Sequence, residues 1–371
     1  MQLKTVLIIS GLLFSYTVFA QKPIPVIRAT AKNVKIKVDH QFTNDNWTIA
    51  PEAKPDIYLT SGKTVTFLTD IDSITIRVNQ AVPKDFYILL NGKDSALTRV
   101  KYQPSRLEML KQGKAYNNNE NKALPTFTYL SAEDPALKKI RQDLNLDSIA
   151  GKGNEVSQMI NLMQWVHNVI RHDGNSNNPK LRNALDIISV CHSEKRGVNC
   201  RMMATVLNEC YLAMGFKSRF ITCMPKELQF DDCHVINIVY SEELQKWVWM
   251  DPTFGAYVMN EKGELLGPQE VRERLINNKP LILNPEANWN RLVTKTKEQY
   301  LEKYMAKNLY RIECLVASGY DSETRIAGKE LAYIQLVPLD ALNQKGEVSE
   351  SGKVTVTHEV TNNPNLFWKK P

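Results

Sequence analysis

The chain has 371 residues, and several absences narrow what it can be. No charge sign dominates: 47 Lys and Arg against 40 Asp and Glu leave a formal +7, a mixed surface that does not read as a nucleic-acid footprint. Sixteen Gly and 17 Pro, without a period, exclude collagen, and a 43% hydrophobic share excludes a disordered chain. No heptad pattern suggests a coiled coil. There is no C-x2-C pair to support a structural zinc site and no D-x-D-x-D-G calcium loop, so neither a metal nor a cofactor is expected. Cysteine is scarce, six in all, too few for a small disulfide scaffold. Five of them, Cys191, Cys200, Cys210, Cys223 and Cys233, nevertheless crowd into one window, with Cys314 apart.

Long apolar runs are also missing, apart from one at the start. Lys4, the run Val6 to Phe14, and Val18-Phe19-Ala20 read as a signal peptide over residues 1–20, too short for a membrane span. No Cys lies at the cut to suggest a lipid anchor. The expectation is a mature chain from Gln21, secreted across the inner membrane to the periplasm or beyond, with no stable membrane anchor. Residues 21–110 read as an N-terminal β-domain resembling a small sandwich. Val34, Ile36 and Val38 alternate with Lys35 and Lys37, Ile74 and Ile76 repeat the period, and Asn91-Gly92 marks a hairpin. A polar stretch around Asn117-Asn118-Asn119 suggests a linker over 111–130, followed by a core over 131–260 and a C-terminal α/β segment over 261–371 packing on that core.

Asp134 before Pro135 predicts a capped helix. A second helix is predicted from about Asn154 to Ile170, with a broad apolar face, and a third from Cys200 to Gly215 behind the cap Asn199. Strands are predicted over Phe216 to Cys223, Cys233 to Tyr240 and Trp247 to Asp251. A further helix over about Lys297 to Lys307 turns Tyr300, Leu301, Tyr304 and Met305 inward. Cys191-His192 reads as a turn, and Arg219 as the partner of a structural carboxylate. Cys223 and Cys233 flank one loop, either as a bridge or as two buried thiols.

Cys200 at a helix start lies where the helix dipole and free amides favour a thiolate. A thiolate nucleophile needs a base and a group to orient that base. His234, Ile236, Ile238 and Tyr240 share one strand face, as do Trp247, Trp249 and Asp251 in the next strand. An even number of residues in the turn between them sets His234 opposite or diagonal to Asp251 on one face. One helix and two strands would then supply all three groups.

This order resembles the transglutaminase-like superfamily of papain-related cysteine enzymes, in a secreted bacterial form. The resemblance is carried by Gly197-Val198-Asn199-Cys200-Arg201, Gly215-Phe216-Lys217-Ser218-Arg219, His234, and Trp247-Val248-Trp249-Met250-Asp251-Pro252-Thr253. It implies an α+β fold with a papain-like transglutaminase core, and the roles of nucleophile for Cys200, base and acid for His234, and orienter for Asp251. The reaction implied is thiolate attack on an amide carbonyl of a protein or peptide substrate. Water as acceptor makes the protein a peptidase or amidase, the favoured reading. An amine as acceptor makes it a protein-glutamine transferase, and a third alternative is an inactive polymer- or protein-binding module. The backbone N–H of Cys200 is a natural oxyanion donor. Trp165, Gln164, Asn199 and His192 are candidates for a second, with none singled out.

Overall fold

The computed structural model describes residues 23–43, 47–52, 54–230 and 232–371. The expected leader over 1–20 lies outside the described residues. The chain divides into two compact units, one up to Pro104 and one from Ser105 onward.

In the first unit, one sheet runs Val26–Ala29, Lys84–Leu90, Asp94–Tyr102, Asp56–Thr60. A second is built on Asn33–Val38, Thr64–Leu68 and Ser73–Arg77. Alternation turns Ile36, Phe67, Phe86 and Ile88 from both sheets into one buried cluster. Asn91 and Gly92 both take positive φ, +53° and +68°, as a tight turn between paired strands demands.

The second unit opens earlier than the sequence suggests. Ser105 caps a helix, Arg106–Gln112, through a reciprocal bond with Glu108, and Leu110 enters this unit's core. Nor is 111–130 a free linker. Tyr116, Leu124, Phe127 and Tyr129 pack on the core, and the Phe127 ring lies 3.8 Å from the Arg219 guanidinium. Arg219 is therefore held by rings and by the Phe367 carbonyl, not by the carboxylate expected of it.

Three helices pack on one face of a seven-stranded sheet. They are α1 (Glu155–Val169), α2 (Ala184–Ser193) and α3 (Cys200–Ala213). Asn154, Asn183 and Asn199 cap them, each side chain accepting a backbone N–H of the first turn. Cys191 and His192 lie inside α2 rather than in a turn. The strands are β1 (Ser218–Met224), β2 (His234–Ser241), β3 (Lys246–Met250), β4 (Arg311–Leu315), β5 (Glu330–Leu336), β6 (Glu347–Ser351) and β7 (Val354–Thr361). Their order is β3-β2-β1-β4-β5-β7-β6. Because β4 pairs with β1, Cys314 opposite Ile221, the stretch 261–371 does not pack on a finished core: it supplies four strands of the same sheet.

Among the described residues no helix is long and apolar enough to cross a membrane. All six cysteines are free. The register shows why Cys223 and Cys233 do not join. Cys223 lies opposite His234 and shares its face, while Cys233, next to His234, turns to the other face.

Candidate active site

Each of the three residues singled out in the sequence sits at the end of an element. Cys200 is the first residue of α3, so its backbone N–H has no acceptor within the helix. It is half-buried against Ala204, Phe220 and Val235. His234 opens β2. Asp251 follows β3 at a tight turn closed by mutual hydrogen bonds with Ala256.

Ser241 pairs with Lys246, so four residues form the loop, an even number. Continuing that register places Asp251 on the face of His234, one step diagonal. The structure brings them together: His234 Nε2 lies 2.7 Å from Asp251 Oδ2, both side chains fully buried. Asp251 is held on every side. Tyr300 donates its hydroxyl to Oδ2 at 2.5 Å, and the backbone N–H of Thr253 donates to Oδ1 at 2.9 Å. Trp249 in turn donates its indole N–H to the Tyr300 hydroxyl at 3.1 Å. With Nε2 on the carboxylate, Nδ1 is the ring nitrogen left for the sulfur. The Tyr304 hydroxyl lies 3.4 Å from Nδ1, and its ring packs edge-on against the imidazole.

Burial alone would push the Cys200 thiol up. Hydrogen bonds from His172 and His234, together with the charge on His234, overcome it and bring the thiol down to about 6. Burial would lower the His234 pKa, but Asp251 and the sulfur lift it to about 10. Between these values the resting pair is thiolate and imidazolium. The other cysteines in the window lack this setting: burial pushes Cys233 up to about 11 and Cys210 and Cys223 higher still.

The four candidates for a second oxyanion donor fare differently. Gln164 donates its amide to Gly255 O, and Asn199 spends both ends of its amide on Met202 N–H and Asn178. His192 is exposed on α2, and Trp165 packs among the helices. The sulfur's partner besides His234 is instead His172; sequence reading missed it because it lies outside the cysteine window in an irregular stretch. Tyr300 and Tyr304 were legible as inward-facing, but not as neighbours of the site. They sit on Glu298–Met305, which winds as a π-helix and runs into the short α-helix Ala306–Asn308.

Residues 142–252 match the family model described as the transglutaminase-like superfamily, a segment that contains Cys200, His234 and Asp251. This core of the chain belongs to that superfamily. No curated protein matches the sequence. Among solved structures, the chain is similar to a candidate cysteine protease from Cytophaga hutchinsonii at 20% identity, TM-score 0.26, over 34% of this chain and 46% of that one. LapG of Legionella pneumophila matches at 15% identity, TM-score 0.27, over 50% of this chain and 100% of that one. Red sea bream transglutaminase matches at 10% identity, TM-score 0.23, over 67% and 52%. The chain thus spans under half the length of the first of these. The superfamily assignment rests on the family match.

Proposed function

We propose that the protein is a secreted cysteine hydrolase that cleaves amide bonds, peptide or isopeptide, through a thioester on Cys200. The observation that supports this most is the chain of contacts from sulfur to imidazole to carboxylate. The sulfur is hydrogen-bonded to His234, and His234 Nε2 is held at 2.7 Å by a carboxylate that three further donors fix.

The Cys200 thiolate attacks the carbonyl carbon. The C–N bond breaks, and the amine leaves with the proton of the His234 imidazolium. Neutral His234 then takes a proton from water as that water attacks the thioester. The acid departs and the thiolate–imidazolium pair returns. Asp251 keeps the Nε2–H tautomer in place and offsets the cation. The leader at residues 1–20 delivers the chain to the periplasm or beyond, where such substrates are met outside the cytoplasm.

The experiment is a library of peptides and isopeptides incubated with the protein, with and without an added amine. Release of acid and amine at a rate indifferent to the added amine supports hydrolysis. Incorporation of the amine assigns an amine transferase instead. No turnover and no adduct on Cys200 would leave a binding module.

A further inference from the structure

The segment before Cys200 is zipped against a second one. His172 pairs with Val198 in a parallel bridge; Val198 donates its N–H to Arg171 O at 3.0 Å, and Asp173 donates to Val198 O at 2.8 Å. This approach needs glycine at 197, because a Cβ there would sit 2.5 Å from Arg171 O. His172 is thereby fixed two residues from the start of the nucleophile.

A hairpin between β3 and β4 holds the imidazole. Strands Asn288–Trp289 and Val293–Thr294 are joined by a turn in which Asn290 and Arg291 both take positive φ, +53° and +61°. Asn290 at that turn clamps the backbone of His172 from both sides. Its Oδ1 accepts the His172 N–H at 2.7 Å, and its Nδ2 donates to the His172 carbonyl at 2.9 Å. Trp289 donates its indole N–H to His172 Nδ1 at 3.1 Å. An indole nitrogen only donates, so Nδ1 is the acceptor and the proton of a neutral ring is on Nε2. The nitrogen left to face Cys200 is therefore a donor, held in that state by Trp289.

We propose that His172, in the tautomer set by Trp289, is the second oxyanion donor of this site: its Nε2–H and the backbone N–H of Cys200 receive the carbonyl oxygen as the tetrahedral intermediate forms. The two imidazoles at the sulfur then do different work. His234, backed by a carboxylate, moves protons. His172, backed by an indole N–H where His234 has a carboxylate, presents a hydrogen-bond donor. In the resting enzyme the same ring is hydrogen-bonded to the sulfur. As the sulfur bonds the carbonyl carbon, the charge it carried moves to the adjacent oxygen of the tetrahedral intermediate, and the donor follows it. This assignment rests on the reading of Cys200 as an acylated nucleophile.

Two reactions of Cys200 separate the roles. Alkylation by iodoacetamide uses the thiolate but forms no oxyanion, whereas acylation by p-nitrophenyl acetate forms one. In His172→Phe, acylation of Cys200 is expected to fall roughly 10²- to 10³-fold, the usual loss on removing one oxyanion donor, and alkylation above pH 8 by far less. His172→Gln, which keeps an N–H donor, should recover part of the acylation. Trp289→Phe, which leaves both tautomers of His172 open, should fall between wild type and His172→Phe. Circular dichroism of each variant establishes that it folds. Acylation in His172→Phe at the wild-type rate, or a fall in both reactions by one factor, overturns the assignment. If the acyl group in wild type is found on a residue other than Cys200, the hydrolase reading falls and the role of His172 falls with it; the position of the acyl group tells the two failures apart.

Discussion

The reactivity of Cys200 toward iodoacetamide should have an unusual dependence on pH. The imidazoles bring the thiol from 9 to about 6. At pH 5 a group titrating near 6 is about one-tenth thiolate, and one titrating near 9 about one part in ten thousand, a ratio of roughly 10³. A thiolate of lower pKa is also a poorer nucleophile. With a Brønsted slope of about 0.45, three units cost roughly 20-fold. The net advantage of Cys200 over an ordinary cysteine is then about 50-fold at pH 5. By pH 8 the ordinary thiol is about one-tenth ionised, the thiolate ratio has dropped to about ten, and Cys200 is no faster, roughly half the rate. A single rate at neutral pH would therefore miss the ion pair, whereas a profile from pH 4.5 to 11 shows it. The rise should be centred near 6, with a second inflection near 10 as His234 loses its proton and with it the charge that steadies the sulfur. Mass spectrometry of the Cys200 peptide follows it without interference from the other thiols. One rise, centred between about 8.5 and 9, would refute the thiolate–imidazolium pair.

Other outcomes follow from the same contacts. Cys200→Ala should abolish amide turnover with the fold intact, which the library assay and circular dichroism together measure. Asp251→Asn keeps a hydrogen bond to His234 but favours the wrong tautomer and leaves the cation unbalanced, so kcat should fall by about 10² or more. Tyr300→Phe removes a donor from a fully buried carboxylate and leaves the Trp249 indole without its acceptor; urea denaturation should show a loss of about 1.5–3 kcal/mol. Peptide mapping without reduction should recover Cys223 and Cys233 on separate alkylated peptides, and a bridged pair would contradict the register.

Local signals carried much of the fold. Asp134-Pro135, Asn154 and Asn199 are caps, and the helices begin where each was read, because a side chain that satisfies an orphan N–H acts within one turn. The strands bearing His234 and Asp251 were legible from alternation, and their shared face from parity of the turn. What was not legible is what depends on partners remote in sequence. Helix α2 went unseen although Asn183 caps it, because its apolar positions run close together with little polar contrast. The 111–130 stretch looks like a linker until Arg219 and the core it covers are known. Strand β6 is exposed throughout and has no apolar face to announce it. His172 is the plainest case. Nothing near it in the sequence distinguishes it, and its place depends on a bridge to Val198 and on a hairpin more than a hundred residues later.

The central claim is that an acyl group passes through the sulfur of Cys200. Acid quenching during turnover of a library substrate, followed by peptide mass mapping, tests it directly. The account predicts the acyl mass on the peptide that begins α3, labile to hydroxylamine as a thioester is, and absent in Cys200→Ala. Product released at the same rate by wild type and Cys200→Ala, with no adduct on that peptide, would contradict it.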